Sequence, residues 1–325
     1  MKAAHSPRRQ RGAALLLAML TVALVASVSA AAYWQQWRDL QLEQTARQRS
    51  QSLWLLTGAL DWARLILRED ARASQVDHLA EPWALPLQET RLSSFLAAGQ
   101  GDPTADDAFD ARLSGRIIDE QGKLNLRNLI ETSGDRVQLA PVERQSVERL
   151  FAALGLTAAE LQQLLQGLLA AYEPRNSVSS EGLLQPQRYE QLAWFGLSKP
   201  TLDRLSPYAS WLPEPTPINL NTASALVLHA SLPGLDLAQA QALVAQRERR
   251  HFSAITDVRD LVPEVGAQLK PQRHAITSRY FRVIGLLRLD EATLEQNALV
   301  VRDGIKVRVV WRMHGGLERH TATLK

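Results

Sequence analysis

From Ala13 to Ala32 the chain runs for about twenty residues without a charge, almost all of them Ala, Leu, Val or Ser. At about 1.5 Å of rise per helical residue this stretch spans about 30 Å, the thickness of a bilayer's hydrocarbon core. Lys2, Arg8, Arg9 and Arg11 precede it with no acid among them. That bias places the N-terminus on the cytoplasmic side and everything after Tyr33 across the membrane. Two ordinary readings fit: a secretory signal cut after Val28-Ser29-Ala30, where small residues gather, or an anchor that is never cut.

Arg11-Gly12, directly before the run, supplies a third reading. It resembles the site at which prepilin peptidase cuts pilins and pseudopilins, an enzyme that leaves the apolar segment on the mature protein. The residues beyond the run favour it. Tyr33 to about Arg72 continues as helix, with no glycine until Gly58 and no proline until Pro82. Leu53, Leu56, Leu60, Ala63 and Leu67 recur at three- and four-residue steps, one apolar stripe, while Arg47, Arg49, Asp61, Arg64 and Arg68 lie off it. A helix from Ala13 to Arg72 is about 90 Å long. Its first half is bare in lipid and its second half packs on a folded domain, a continuation that a cleaved signal does not need.

Charge narrows the function classes. Lys and Arg number 37 against 34 Asp and Glu, a net +3, and several positives sit in the leader. The mature protein is near neutral, which argues against a dedicated nucleic-acid binder. There is no cysteine, hence neither a disulfide framework nor a cysteine-ligated metal. A chain of 325 residues can bury one large core or two ordinary ones.

Residues 77–110 are rich in breakers, and Asp102, Asp106, Asp107 and Asp110 crowd into one acidic run. Hard cations want several oxygens, so this is a calcium candidate, although the spacing is not that of an EF-hand and a solvated acidic loop is the plain alternative. Residues 111–126 read as a hairpin turning at Glu120-Gln121-Gly122, with positive φ at Gly122. Residues 141–208 read as helical: Val142, Val147, Leu150, Phe151 and Leu154 form one face, Gly155 ends the helix, and Thr157 with Glu160 makes a capping box for a second helix over 158–172. Pro213, Pro215 and Pro217 mark a stiff connector.

In the segment 218–261, Thr222 or Ser224 caps one helix, Pro233-Gly234 turns the chain and a second helix runs from Leu237 to Arg249. This resembles a helix-hairpin-helix DNA-binding module, whose turn amides meet a phosphate. The departure is Asp236, which stands where that family usually has a second glycine and sets a carboxylate against phosphate. Residues 277–325 read as strands, including a hairpin over 298–311 turning at Asp303-Gly304, with Lys306, Arg308 and Arg312 alternating with Ile305, Val307, Val309 and Trp311. The expectation is an α+β fold: a long N-terminal helix packed on an antiparallel sheet, with a large all-α insertion. Its segments are a leader over 1–12, a membrane and spine helix over 13–75, the first part of the α+β domain over 76–139, the insertion over 140–276 and the closing strands over 277–325.

No catalytic constellation stands out. The chain lacks H-E-x-x-H, G-x-S-x-G, S-x-x-K and a glycine fingerprint after a strand. His5, His78, His229, His251, His274, His314 and His320 are isolated, none at metal-ligand spacing from another. The expectation is a protein that is not an enzyme.

Taken in order, Arg11-Gly12-Ala13-Ala14-Leu15, the run 115–126 (Gly-Arg-Ile-Ile-Asp-Glu-Gln-Gly-Lys-Leu-Asn-Leu), Ile218-Asn219-Leu220-Asn221-Thr222-Ala223, the run 235–243 and Ser278-Arg279-Tyr280-Phe281 resemble the minor pseudopilin K family of type II secretion systems. The resemblance covers most of residues 8–312. It implies cleavage between Gly12 and Ala13, methylation of the new amino terminus, and a pilin-like domain at the tip of a short periplasmic pseudopilus anchored in the bacterial inner membrane. The partners it implies are minor pseudopilins of the I, J and H types, the major pseudopilin, the inner-membrane secretion platform and prepilin peptidase. Most pilins carry a glutamate four residues after the first mature residue; here that position is Leu17. An unpaired carboxylate in lipid is costly, and a subunit that starts the fibre meets no earlier amine, so leucine suits an initiator. The family's insertion often has a calcium-associated aspartate-rich stretch; here the matching region leaves only Glu173 and Glu181. The competing function is a membrane-tethered DNA-uptake protein using the 218–261 hairpin.

Overall fold

The computed structural model describes residues 11–91, 111–134, 136–173, 183–289, 292–315 and 318–319. Two compact units divide the chain, residues 1–55 and 56–325. Helix α1 covers Arg11–Ala73, 63 residues. Alanine and leucine, which lose little freedom in a helix, dominate its start, and no proline interrupts it.

In the second unit the stripe read from the sequence faces inward. Leu56, Leu60, Ala63 and Leu67 are buried, and the last three share a core with Trp83, Phe281, Val283, Ala298, Val300 and Val307. Trp83 meets Phe281 edge-to-face with centroids 5.1 Å apart. Against this core lies an antiparallel sheet. Strand β1 (Leu87–Arg91) pairs with β2 (Ala111–Asp119). The chain then leaves for a mainly helical block before it returns to the sheet.

The expected 111–126 hairpin does not form. Asp119 Oδ1 accepts the Gln121 amide at 2.8 Å and winds Glu120–Gly122 into one 3-10 turn. Strand β3 (Leu124–Asn125) then pairs in parallel with β6 (Ala209–Ser210), not with β2. Gly122 is not among the positive-φ glycines. Its lack of a side chain serves a close approach instead, since a Cβ there would lie 2.8 Å from Thr222 Oγ1.

A short hairpin of β4 (Ile130–Ser133) and β5 (Arg136–Leu139) precedes α2 (Pro141–Ala153), which opens on proline and ends before Gly155 at φ +61°. Val142 is 45% exposed, so it is not on the buried face; Ser146 takes that place beside Val147, Leu150 and Phe151. Helix α3 (Ala158–Tyr172) is capped by Thr157 as expected. The Glu160 carboxylate, however, accepts the Ser198 amide at 3.0 Å and the Thr201 hydroxyl at 2.7 Å, tying α3 to the start of α4 (Lys199–Leu205). These donors hold Glu160 down to about 2. After β7 (Ile218–Asn219) come α5 (Ala225–Ser231), the Gly234 turn at φ +87°, α6 (Leu237–Arg249) and α7 (Ile255–Leu261). Strand β8 (His274–Ala275) pairs in parallel with β7. The block is therefore helical but stitched by two-residue bridges, around one core that includes Leu150, Leu164, Leu192, Val227 and Leu243.

Three strands complete the sheet: β9 (Tyr280–Leu289), β10 (Ala292–Asp303) and β11 (Lys306–His314), in the order β1-β2-β9-β10-β11, with the two-residue β12 (Glu318–Arg319) also pairing with β10. Gly304 at φ +58° makes the β10–β11 turn. The expected alternation along β11 fails after Val307. Leu299 pairs with Trp311 and Val300 with Val309, which leaves Val310 as a bulge. Val309 and Val310 are both exposed. Arg64 Nε and Nη2 bond the Val307 carbonyl at 3.1 and 2.8 Å, so helix α1 blunts this edge.

Candidate functional site

Gly12 and Ala13 lie in the first turn of α1. From Ala13 onward the apolar residues face outward; Leu17 is 64% exposed, and Leu15, Leu16, Leu20, Leu24 and Val25 match it. Among the described residues this is the one helix long and apolar enough to cross a membrane. So much bare leucine is unfavourable in water and calls for lipid or a partner's helix.

The second unit is locked at a buried polar hub assembled from three of the stretches singled out in the sequence, 115–126, 218–223 and 278–281. Asp119, at the end of β2, accepts on Oδ2 from Ser278 Oγ at 2.6 Å, Thr222 Oγ1 at 2.5 Å and Asn219 Nδ2 at 3.1 Å. Burial pushes its carboxyl up to about 6, against the pull of these donors and the Gln121 amide. Asn219 also donates to the Asp77 carbonyl at 3.1 Å, and Asp77 Oδ2 accepts the Ser278 amide at 2.6 Å. Arg302 forks between Asp77 and Asp70, reaching Asp70 Oδ2 at 2.8 Å. Burial foremost, then the Glu81 charge, pushes Asp70 up to about 6, and burial raises Asp77. Asn221 fastens the next layer: its side chain donates to the Phe252 carbonyl and accepts the Phe252 amide. Thus α1, its exit loop, strands β2 and β10, the segment entering Tyr280 and the helical block meet at one point.

The hub has the chemistry of a lock. Asp70, Asp77 and Glu81 bring oxygens within 4.8 Å of one another. Arg302 occupies the first two, and Glu81 Oε2 accepts Trp83 Nε1 at 2.7 Å and the His78 amide at 2.9 Å. A separate apolar notch of about 290 Å³ lies between Leu60, Trp62, Leu85 and the sheet floor, where Gly115 opposes Gly285. It gathers no converging titratable groups.

Of the residues singled out by sequence, Asp102, Asp106, Asp107, Asp110 and Glu181 lie outside the described residues. Glu173 is exposed at the end of α3. Glu173 is then one exposed carboxylate, against the six to eight oxygens that calcium takes. Asp236 caps α6, accepting the Gln239 amide at 2.7 Å, and Gln239 reaches Glu264 at 2.7 Å. The Asp236 carboxylate therefore takes a helix-start amide of the kind that a DNA-binding hairpin offers to phosphate. The histidines are not all isolated: His78 and His251 stack with centroids 4.0 Å apart. No spacing rule could find that pair, because tertiary folding alone brings them together.

From Ala13 onward, the charge-free start of α1 is an apolar surface that lipid or other subunits must cover. The comparisons agree. The profile of the type II secretion system (T2SS) protein K family matches residues 218–277. Over 339 aligned residues the chain is 30% identical to the type II secretion system protein K of Pseudomonas aeruginosa, covering 95% of this chain and 94% of that one. It is 26% identical to the Klebsiella pneumoniae protein K, with 94% and 97% covered. The solved GspK-GspI-GspJ complex of the enterotoxigenic Escherichia coli type 2 secretion system contains a chain of the same fold. The TM-score is 0.64 at 19% identity, over 84% of this chain and 99% of that one. The chain belongs to the type II secretion system protein K family.

Proposed function

We propose that this chain is a minor pseudopilin that sits at the tip of a periplasmic pseudopilus, starts its assembly and supports protein export across the outer membrane. The observation that carries the reading is the exposed, charge-free run Ala13–Ala32 of α1 behind Gly12, with Leu17 where pilins usually carry glutamate. Prepilin peptidase cuts between Gly12 and Ala13, and the new amino terminus is methylated. Before assembly the helix crosses the inner membrane once, N-terminus cytoplasmic; afterwards the same leucines form fibre core. The solved complex contains GspI and GspJ, and their counterparts are the partners expected here, with an H-type subunit, the major pseudopilin and the inner-membrane platform beyond them. The role is structural, not enzymatic.

The mass of the mature N-terminus tests processing: a start at methylated Ala13 is expected, and a start near Ala31 overturns it. Leu17→Glu tests initiation. It places a carboxylate in lipid with no earlier amine to meet, so secretion and minor-pseudopilin assembly are expected to fall. Unchanged secretion would remove Leu17 from the mechanism.

A further inference from the structure

Helix α1 changes character within two turns. Ala13–Ala32 carries no charge; Tyr33, Trp34 and Trp37 follow at once; Arg38 and Asp39 are the first charges. All three rings are open, with 72%, 65% and 52% of their surface exposed. At about 100° per residue, Tyr33, Trp37 and Leu40 fall within an arc of about 60°, and Trp34 lies about 60° further round. Gln35 and Asp39 take the opposite side, with Gln36 and Arg38 flanking the aromatic arc. The aromatic surface is thus one-sided, and it begins about 30 Å from Ala13, one hydrocarbon thickness.

We propose that Tyr33, Trp34 and Trp37 form an interfacial girdle that binds the phospholipid headgroup layer on the non-cytoplasmic side, fixing both the depth of α1 and the direction in which it leans. The inference rests on the membrane-spanning reading of α1. Indole and phenol rings combine an apolar body with a hydrogen-bonding edge, which suits the boundary between acyl chains and headgroups better than water or hydrocarbon. Position selects lipid as the occupant: the rings lie one bilayer thickness from a leader whose charges, Lys2, Arg8, Arg9 and Arg11, are all basic. The span therefore has a cationic end and an aromatic end, each matched to one interface. One-sidedness adds what a symmetric belt would not, a preferred lean toward the face bearing Tyr33, Trp37 and Leu40.

The absence of cysteine makes the test direct. Full-length protein carrying a single spin label at Val22→Cys, Val28→Cys or Gln35→Cys is placed in liposomes of phosphatidylethanolamine and phosphatidylglycerol. Depth is read from oxygen against nickel-chelate accessibility. The label at position 22 is expected in hydrocarbon and that at 35 at the interface. Replacing Tyr33, Trp34 and Trp37 together by alanine, which keeps the helix, is expected to move the position-28 label by about 3 Å or more, two residues of rise. A position-22 label in water would defeat the membrane reading itself. A position-22 label in hydrocarbon with no shift at 28 or 35 would overturn the girdle alone. Unshifted labels with loss of minor-pseudopilin assembly would assign the rings to a protein contact and likewise overturn it.

Discussion

The imidazole of His78 lies face to face with that of His251, with centroids 4.0 Å apart and planes 8° from parallel. His78 belongs to the loop that leaves α1, and His251 to the turn that leaves α6, so the stack joins the exit of the long helix to the helical block. His78 Nε2 lies 3.8 Å from Glu81 Oε1. Burial, foremost, lowers the His78 pKa, and the neighbouring His251 lowers it further, while Glu81 and Asp77 pull it up. Two protonated rings at this separation would repel. His251→Gln is therefore expected to raise the His78 pKa, read from its ring protons in an NMR titration. An unchanged titration would mean that the two rings are not coupled.

A second pH effect comes from deeper in the core. Burial first, and Arg273 second, hold His274 down to about 3, and its Nε2 has no partner among the described residues. The unfolded chain takes up a proton near pH 6.5 that the folded His274 refuses, so stability is full above 6.5 and falls as pH drops toward 3. Asp119 has the opposite sign. Its folded value near 6 exceeds the unfolded one, so its contribution is full below about 3.8 and is lost as pH rises through 6. Between about pH 6 and 4 the two oppose. Urea unfolding of the detergent-solubilised chain should show His274→Asn flattening the loss below pH 6.5 by up to about 1.4 kcal/mol per unit. Asp119→Asn should steepen it between pH 6 and 4. Identical pH slopes in all three proteins would contradict both assignments.

Local periodicity made part of this architecture legible. Leu56, Leu60, Ala63 and Leu67 repeat at helical spacing, and they are the residues of α1 that the sheet covers. The start of α6 was readable from the Pro233-Gly234 turn before it, and the structure adds Asp236 as its cap. What sequence missed is non-local. Strand β2 ends beside Gly122 in a pattern that suits a hairpin, yet its partners are β1 and the distant β9. The Val310 bulge shifts one register step, and a single step reverses which side chains are wet. The motif Ile218-Asn219-Leu220-Asn221-Thr222-Ala223 was visible as a string, but its role is to supply hydroxyl and amide donors to Asp119, a carboxylate contributed by another segment.

Gly58 is a cheap place to add stability. It lies within α1, and a Cβ there would meet nothing within 4 Å. Glycine in a helix interior costs about 0.5–1 kcal/mol relative to alanine, chiefly through the freedom it keeps when unfolded. Gly58→Ala is expected to raise the urea midpoint by a corresponding amount. If it raises stability but weakens binding to the other minor pseudopilins, the bare backbone at this position is used for a subunit contact.

Gly122→Ala should do the reverse. Its Cβ would lie 2.8 Å from Thr222 Oγ1 and about 3.1–3.2 Å from the Thr222 carbonyl oxygen and carbon. The hydroxyl cannot swing away without leaving Asp119, which it reaches at 2.5 Å, and the backbone atoms cannot move without pulling Asn219 and Asn221 from their partners. Overpacking of this kind typically costs about 1–3 kcal/mol. Thr222→Ala alone should also destabilise, by removing one donor from a buried carboxylate. Because the backbone clash persists, Thr222→Ala is expected not to rescue Gly122→Ala. A double variant as stable as Thr222→Ala alone would show that only the hydroxyl demands glycine at position 122, and that the backbone of the two segments can part without cost.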